Sequence, residues 1–139
     1  MNIALPQLNI TLAAAEAAVA AALDEARRNG WPISVAVVDV SGLLVAFARD
    51  DNAIAISPTV AMEKAKTAAY LKDPSKKFED FINEHQKVSF LSTPGATALE
   101  GGVPIYYEGH VIGAVGVSGA HGPNDSQVAQ YAADSLAKQ

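Results

Sequence analysis

At 139 residues the chain has the length of one ordinary domain and enough mass to bury a core without metals or disulfides. Half of it is apolar, yet 27 residues are alanine and only 6% are aromatic, so its elements pack through small side chains. The lack of cysteine excludes disulfides, zinc–thiolate and iron–sulfur centres and a cysteine nucleophile; a net charge of -5 argues against wrapping nucleic acid.

The opening Met1–Pro6 has no basic stretch leading into an uninterrupted apolar run, so no export leader is expected. Leu12–Leu23 is too short for the ~20 residues of a membrane span and contains Glu16. A cytoplasmic protein with no membrane partner is expected. Thr11 predicts a cap for a helix over Leu12–Arg28, stopped by Gly30. That helix is apolar round most of its circumference. Burial against a second subunit and alanine's tolerance of exposure both account for this.

Ile33–Val40, the turn Ser41-Gly42 and Leu43–Phe47 predict a hairpin, apolar on both faces and therefore covered on both sides. A helix follows over Pro58–Leu71, with Val60, Ala61, Ala65, Ala68 and Ala69 toward the core. Asp73-Pro74-Ser75 predicts a cap and first-turn proline for a short helix through Asn83. Residues 88–102 predict a long irregular loop. Next come a second hairpin (Val103–Tyr107, Glu108-Gly109, His110–Val117), a glycine-rich bend, and a last helix capped by Asn124 and running to about Ala137. This order predicts one α/β (α+β) domain over 1–139, an antiparallel sheet flanked by helices. Two-residue turns cannot make the parallel crossovers of a doubly wound nucleotide fold.

Several cofactor signatures fail. Gly113, Gly116 and Gly119 lie in and after a strand rather than between strand and helix, and there is no phosphate loop. His85, His110 and His121 lack metal-ligand spacing. Ser118 is not in a nucleophile elbow. His121 lies just before a helix start, where unpaired N–H groups attract anions; a flexible capping loop is the other reading. Five of ten basic residues (Lys64, Lys66, Lys72, Lys76, Lys77) fall within fourteen positions. Such a segment draws in an anionic small molecule or forms a solvated face. Lys64 and Thr67 share a helix face, so a cation and a hydroxyl can flank one ligand. Asp39, Asp50 and Asp51 lie on or beyond the first hairpin, where turn and catalytic roles both fit.

The run Val37-Val38-Asp39, Gly42, Leu44, Arg49-Asp50-Asp51 and Lys64-Ala65-Lys66-Thr67-Ala68 resembles the haem-binding HbpS/GlcG-like family. So do Glu100-Gly101-Gly102-Val103-Pro104-Ile105, Glu108-Gly109, Val111–Ala120 and Asp125 at the last helix. The resemblance implies a profilin-like α/β/α sandwich and assembly as dimers to octamers. Some members bind haem, and some are cytoplasmic proteins encoded among catabolic genes. Carried over by position, Thr67 is the candidate contact to haem iron, although haem is more usually held by His, Cys, Met or Tyr. The leading expectation is a cytoplasmic homo-oligomer binding haem or a related anionic ligand through Lys64, Thr67, Ser118, Gly119 and His121. The middle helix and the bend after Val117 would then border one hollow. The alternative is a small catabolic hydrolase, deaminase or isomerase acting on an organic acid, with Asp39, Asp51, Glu100 or His121 as acid or base. A third reading is a subunit used only in assembly.

Overall fold

In the computed structural model, which describes residues 1–137, the elements run α1 (Leu12–Arg28), β1 (Ser34–Asp39), β2 (Leu44–Arg49), α2 (Ser57–Leu71), α3 (Lys76–His85), a 3-10 helix (Val88–Ser92), β3 (Gly102–Tyr107), β4 (His110–Ser118) and α4 (Gly122–Leu136). Thr11 caps α1 as expected, its hydroxyl accepting from the Ala14 N–H at 3.1 Å. The four strands form one antiparallel sheet in the order β2-β1-β4-β3, so β1 and β4 join the two hairpins along its centre. Helices α1 and α4 cover one face and α2 the other. This is the α/β/α arrangement that the element order predicts.

Alternation along the central strands sorts the core into two layers. Val35, Val37, Val115 and Val117 point toward α1 and α4, which answer with Ala15, Ala18, Ala22, Ala26, Val128, Ala129 and Ala132. Ala36, Val38 and Ala114 point the other way, onto Ala61, Ala65, Ala68 and Ala69 of α2. Each fully buried valine contributes about 1.5–3 kcal/mol, so the valine-rich layer carries more of the stability. The alanine layer sets spacing instead. A Cβ at Gly116 would collide with the Ala61 carbonyl and the Ala65 nitrogen, and one at Gly102 with the Lys64 carbonyl. The α2 backbone therefore rests directly on the sheet.

The α1 helix buries one stripe within the chain, leaving Ala13, Ala17 and Ala20 exposed. The structure departs from expectation at four places. The β1–β2 connection is wider than two residues, with a bulge between Val37 and Val38. Strand β2 is not covered on both sides: Leu44 and Phe47 remain exposed because α2 lies over β1, β4 and β3. At α3 the residue before the helix is Ser75, not Asp73, and its hydroxyl is used elsewhere. At α4 the cap position is His121, with φ 75, and Asn124 lies inside the first turn, where its side-chain amide donates to the Ala120 carbonyl at 2.9 Å.

Because backbone rather than a flexible side chain blocks the position, Gly116→Ala should cost about 3 kcal/mol, the upper end of the usual overpacking range. Urea unfolding of the purified variant, read as a lower midpoint at unchanged slope, checks this.

Candidate functional site

Lys64 is the lysine that composition marks for a ligand, and the fold gives it another task. Its side chain runs inward from α2, where the Nζ donates to the Val117 carbonyl at 3.0 Å and to Asp125 Oδ2 at 2.9 Å. The two side chains are 4% and 3% exposed. The other Asp125 oxygen accepts from the Ala120 N–H at 2.9 Å. One ion pair thus fastens α2, the end of β4, the bend 118–121 and the first turn of α4. Burial pushes the Asp125 carboxyl above the ordinary carboxylate value, and the Lys64 charge and the bond from Ala120 pull it back.

Thr67 is equally committed. It is fully buried, its hydroxyl donates to the Glu63 carbonyl at 2.8 Å, and it accepts from the Thr97 N–H at 2.8 Å. It pins the segment after the 3-10 helix onto α2. Ser118 is buried at the end of β4, Gly119 is half-buried, and His121 is exposed at the start of α4. The expected hollow between α2 and the bend is therefore filled, by Lys64 and by the direct seating of α2 on Gly102 and Gly116. In the folded chain neither Lys64 nor Thr67 offers a polar atom to a ligand, and Thr67 lies too deep for an iron contact.

The acid–base candidates also separate. Asp39 holds the β1–β2 turn, its Oδ1 accepting from the Ser41 N–H at 2.8 Å and the Leu43 N–H at 3.0 Å. Asp51 is exposed in the turn after β2, and Asp50 pairs with Arg27 at 3.6 Å. Glu100 leans over the N-terminus of α4, where its Oε2 accepts from the Ser126 hydroxyl at 2.7 Å near His121. The four residues thus occupy three places rather than one centre. Among the described residues no group of three His, Cys, Asp or Glu side chains is placed to hold a metal ion.

A different concavity lies between the end of α2, α3 and the 3-10 helix. It has a volume of ≈ 370 Å³ and is walled by Leu71, Phe78, Phe81, Phe90 and Ala96, with Lys77, Asp73 and Thr93 at its edge. Phe81 meets Phe90 edge-on, centroids 5.0 Å apart. A second hollow of ≈ 410 Å³ shares Lys77 and Phe81 and adds Lys76, Asp80 and His85. Lys77 bonds Asp73 and Lys76 bonds Asp80, each at 2.8 Å. These bonds hold both ammonium groups above the ordinary lysine value, so both stay cationic.

Ser75 frames this region. Its hydroxyl donates to the Leu99 carbonyl at 2.7 Å and accepts from the Gly102 N–H at 2.9 Å, and its own N–H bonds the Gly102 carbonyl, tying α3 to the edge of β3. The phenylalanine cluster escaped the sequence reading. Its signal was present: three of the four phenylalanines lie between residues 78 and 90, beside the lysine segment.

Fold and site together define an α/β/α single-sheet domain with an aromatic hollow rimmed by lysine. The family model described as "Haem degrading protein HbpS-like" matches residues 10–134, and the chain belongs to that family. It is 44% identical over 104 residues to protein GlcG of Escherichia coli K12, covering 75% of this chain and 77% of that one. The crystal structure of Klebsiella pneumoniae protein ORFY superposes with a TM-score of 0.93 at 30% identity, covering 100% and 98% of the two chains. A double mutant of Streptomyces reticuli HbpS superposes at 0.87 with 32% identity, covering 96% and 90%. No helix among the described residues is long and apolar enough to cross a membrane.

Removing one partner of the buried pair leaves an uncompensated charge. Lys64→Met should cost about 3–5 kcal/mol at pH 7, and the double replacement Lys64→Met with Asp125→Leu should recover most of the loss. A carboxyl whose folded pKa is raised stabilises below its unfolded value and loses that contribution as pH rises through the folded one. The gap in melting temperature between Lys64→Met and the parent should therefore narrow as pH falls from 7 toward 5, which calorimetry would show.

Proposed function

We propose that this chain is a small-molecule-binding protein, a single HbpS-like domain over 1–139, which takes haem or a related anionic ligand with a large apolar body and works as a cytoplasmic homo-oligomer. One observation carries the reading: the hollow between α2, α3 and the 3-10 helix combines phenylalanine walls with a fixed cation, Lys77, at its rim, and Lys76 lines the adjoining hollow. Sites for such ligands are concave and mostly apolar, of about 300–1,000 Å³, with a few placed polar groups. The family's description as haem-degrading and HbpS-like points to the same ligand.

The donor set suits haem. Phe78, Phe81 and Phe90 would take the macrocycle, and Lys76 and Lys77 its carboxylates. His85, tilted against Phe81 with centroids 6.2 Å apart, carries an imidazole of the type that holds haem iron. Bound haem would supply redox-active iron. The chain's own groups exclude water from the ligand's faces and neutralise its acids. Lys64 and Thr67 support this site from behind. Thr67 fixes the segment bearing Ala96 through Thr97, and Lys64 fixes α2.

Haemin titration of the purified protein should give a saturable Soret shift. Phe81→Ala and Lys77→Glu should each weaken it roughly tenfold or more, the scale of 1.4 kcal/mol. Absence of any saturable shift would overturn haem as the ligand. A shift abolished by Thr67→Ser but untouched by Phe81→Ala and Lys77→Glu would return the ligand to α2 and overturn the assignment to this hollow.

A further inference from the structure

The first nine residues are all exposed, although the run is rich in large apolar side chains. Ile3 is 92% and Leu5 85% exposed, and Met1 is fully so. The run is rooted by Asn9, whose side chain accepts from the Val40 N–H at 2.9 Å, and by Ile10, whose N–H bonds the Ile112 carbonyl. Among the described residues no hydrogen bond or ion pair joins Met1–Pro6 to the body of the chain. Met1, Ile3 and Leu5 recur at every second position, which places them on one side of an extended segment. Pro6 then ends the run, since it has no N–H to give to a ladder.

The arm's root lies beside the β1–β2 turn, and Leu5–Leu8 then run past Lys72, His110 and Val111 without covering either edge of the sheet. The two edges of that sheet differ. Strand β3 carries Pro104 and is held along its outer side by the Ser75 N–H on the Gly102 carbonyl. Strand β2 pairs only with β1 and reads Leu-Val-Ala-Phe-Ala-Arg, with no proline and one charge at its end. Proteins usually blunt such edges with charge, proline or a covering segment. Leu43 and Leu44, 65% and 53% exposed, continue with Phe47 into an apolar face that α2 leaves open.

We propose that the Met1–Leu5 arm of one copy lies along β2 of a second copy as an added strand, and that the exchange is reciprocal across a two-fold axis. This rests on the homo-oligomer reading and assigns its contact. Extended, five residues span about 17 Å, against about 20 Å for six-residue β2. Met1, Ile3 and Leu5 then fall on the same face as Leu44 and Phe47 and cover them, and Asn2 and Ala4 turn to the other face. These apolar residues with Leu43, taken twice, expose on the order of 1,500 Å², inside the roughly 1,200–2,000 Å² of a stable interface. A self-complementary contact of this kind closes on itself and leaves no free edge for further growth.

Deleting residues 2–6 tests the proposal while sparing Asn9 and Ile10. Light scattering should show the full chain as an oligomer and the truncated chain at roughly half that mass or less, with an unchanged far-UV circular dichroism spectrum. Because the chain has no cysteine, introduced thiols report cleanly. An Ile3→Cys chain mixed with a Phe47→Cys chain should form a disulfide-linked heterodimer, and Ile3→Cys mixed with Glu84→Cys should not. A truncated chain that keeps the full-length mass, or cross-linking to position 84 as fast as to position 47, overturns the arm exchange and leaves the oligomer reading standing. A full chain that is monomeric at 14.4 kDa overturns both.

Discussion

A cation and a carboxylate buried together at the junction of α2, β4 and α4 set the terms for the rest of the molecule. Neither charge could be sealed from water without the other, and each has a backbone bond besides, Lys64 to Val117 and Asp125 from Ala120. The pair holds α2 against one face of the sheet and the first turn of α4 at its end. It also decides what the lysine segment can do. The cation nearest the sheet is spent on architecture, and Lys76 and Lys77 farther along, on α3, stay at the surface.

The same closeness governs the contact between α2 and the sheet. Ala61 and Ala65 meeting Gly116, and the Lys64 backbone meeting Gly102, leave no room between helix and sheet. A hollow opens where large side chains replace small ones, once α2 ends and Phe78, Phe81 and Phe90 begin. Dense packing of small residues and an aromatic hollow are thus two consequences of one uneven distribution of side-chain volume along the chain.

Coverage of the sheet is uneven as well. Two helices lie over one face and a single long helix over the other, so a four-stranded sheet keeps one strand bare on the α2 side. The exposure of Leu44 and Phe47 on β2 follows from that arithmetic of widths.

The sequence by itself determined the element order, both hairpins, the antiparallel sheet with helices on its two faces, and the family, because hydrophobic period, turn residues and cap residues act over a few neighbours. Which lysine is buried, which hydroxyl is already bonded and which carboxylates stand apart were decided only by the tertiary structure. Lys64 and Thr67 look available when only α2 is considered; Asp125 lies 61 residues after Lys64 and Thr97 lies 30 after Thr67. A buried polar group takes whichever partner the fold brings to it, and a pattern read along one helix does not contain that partner.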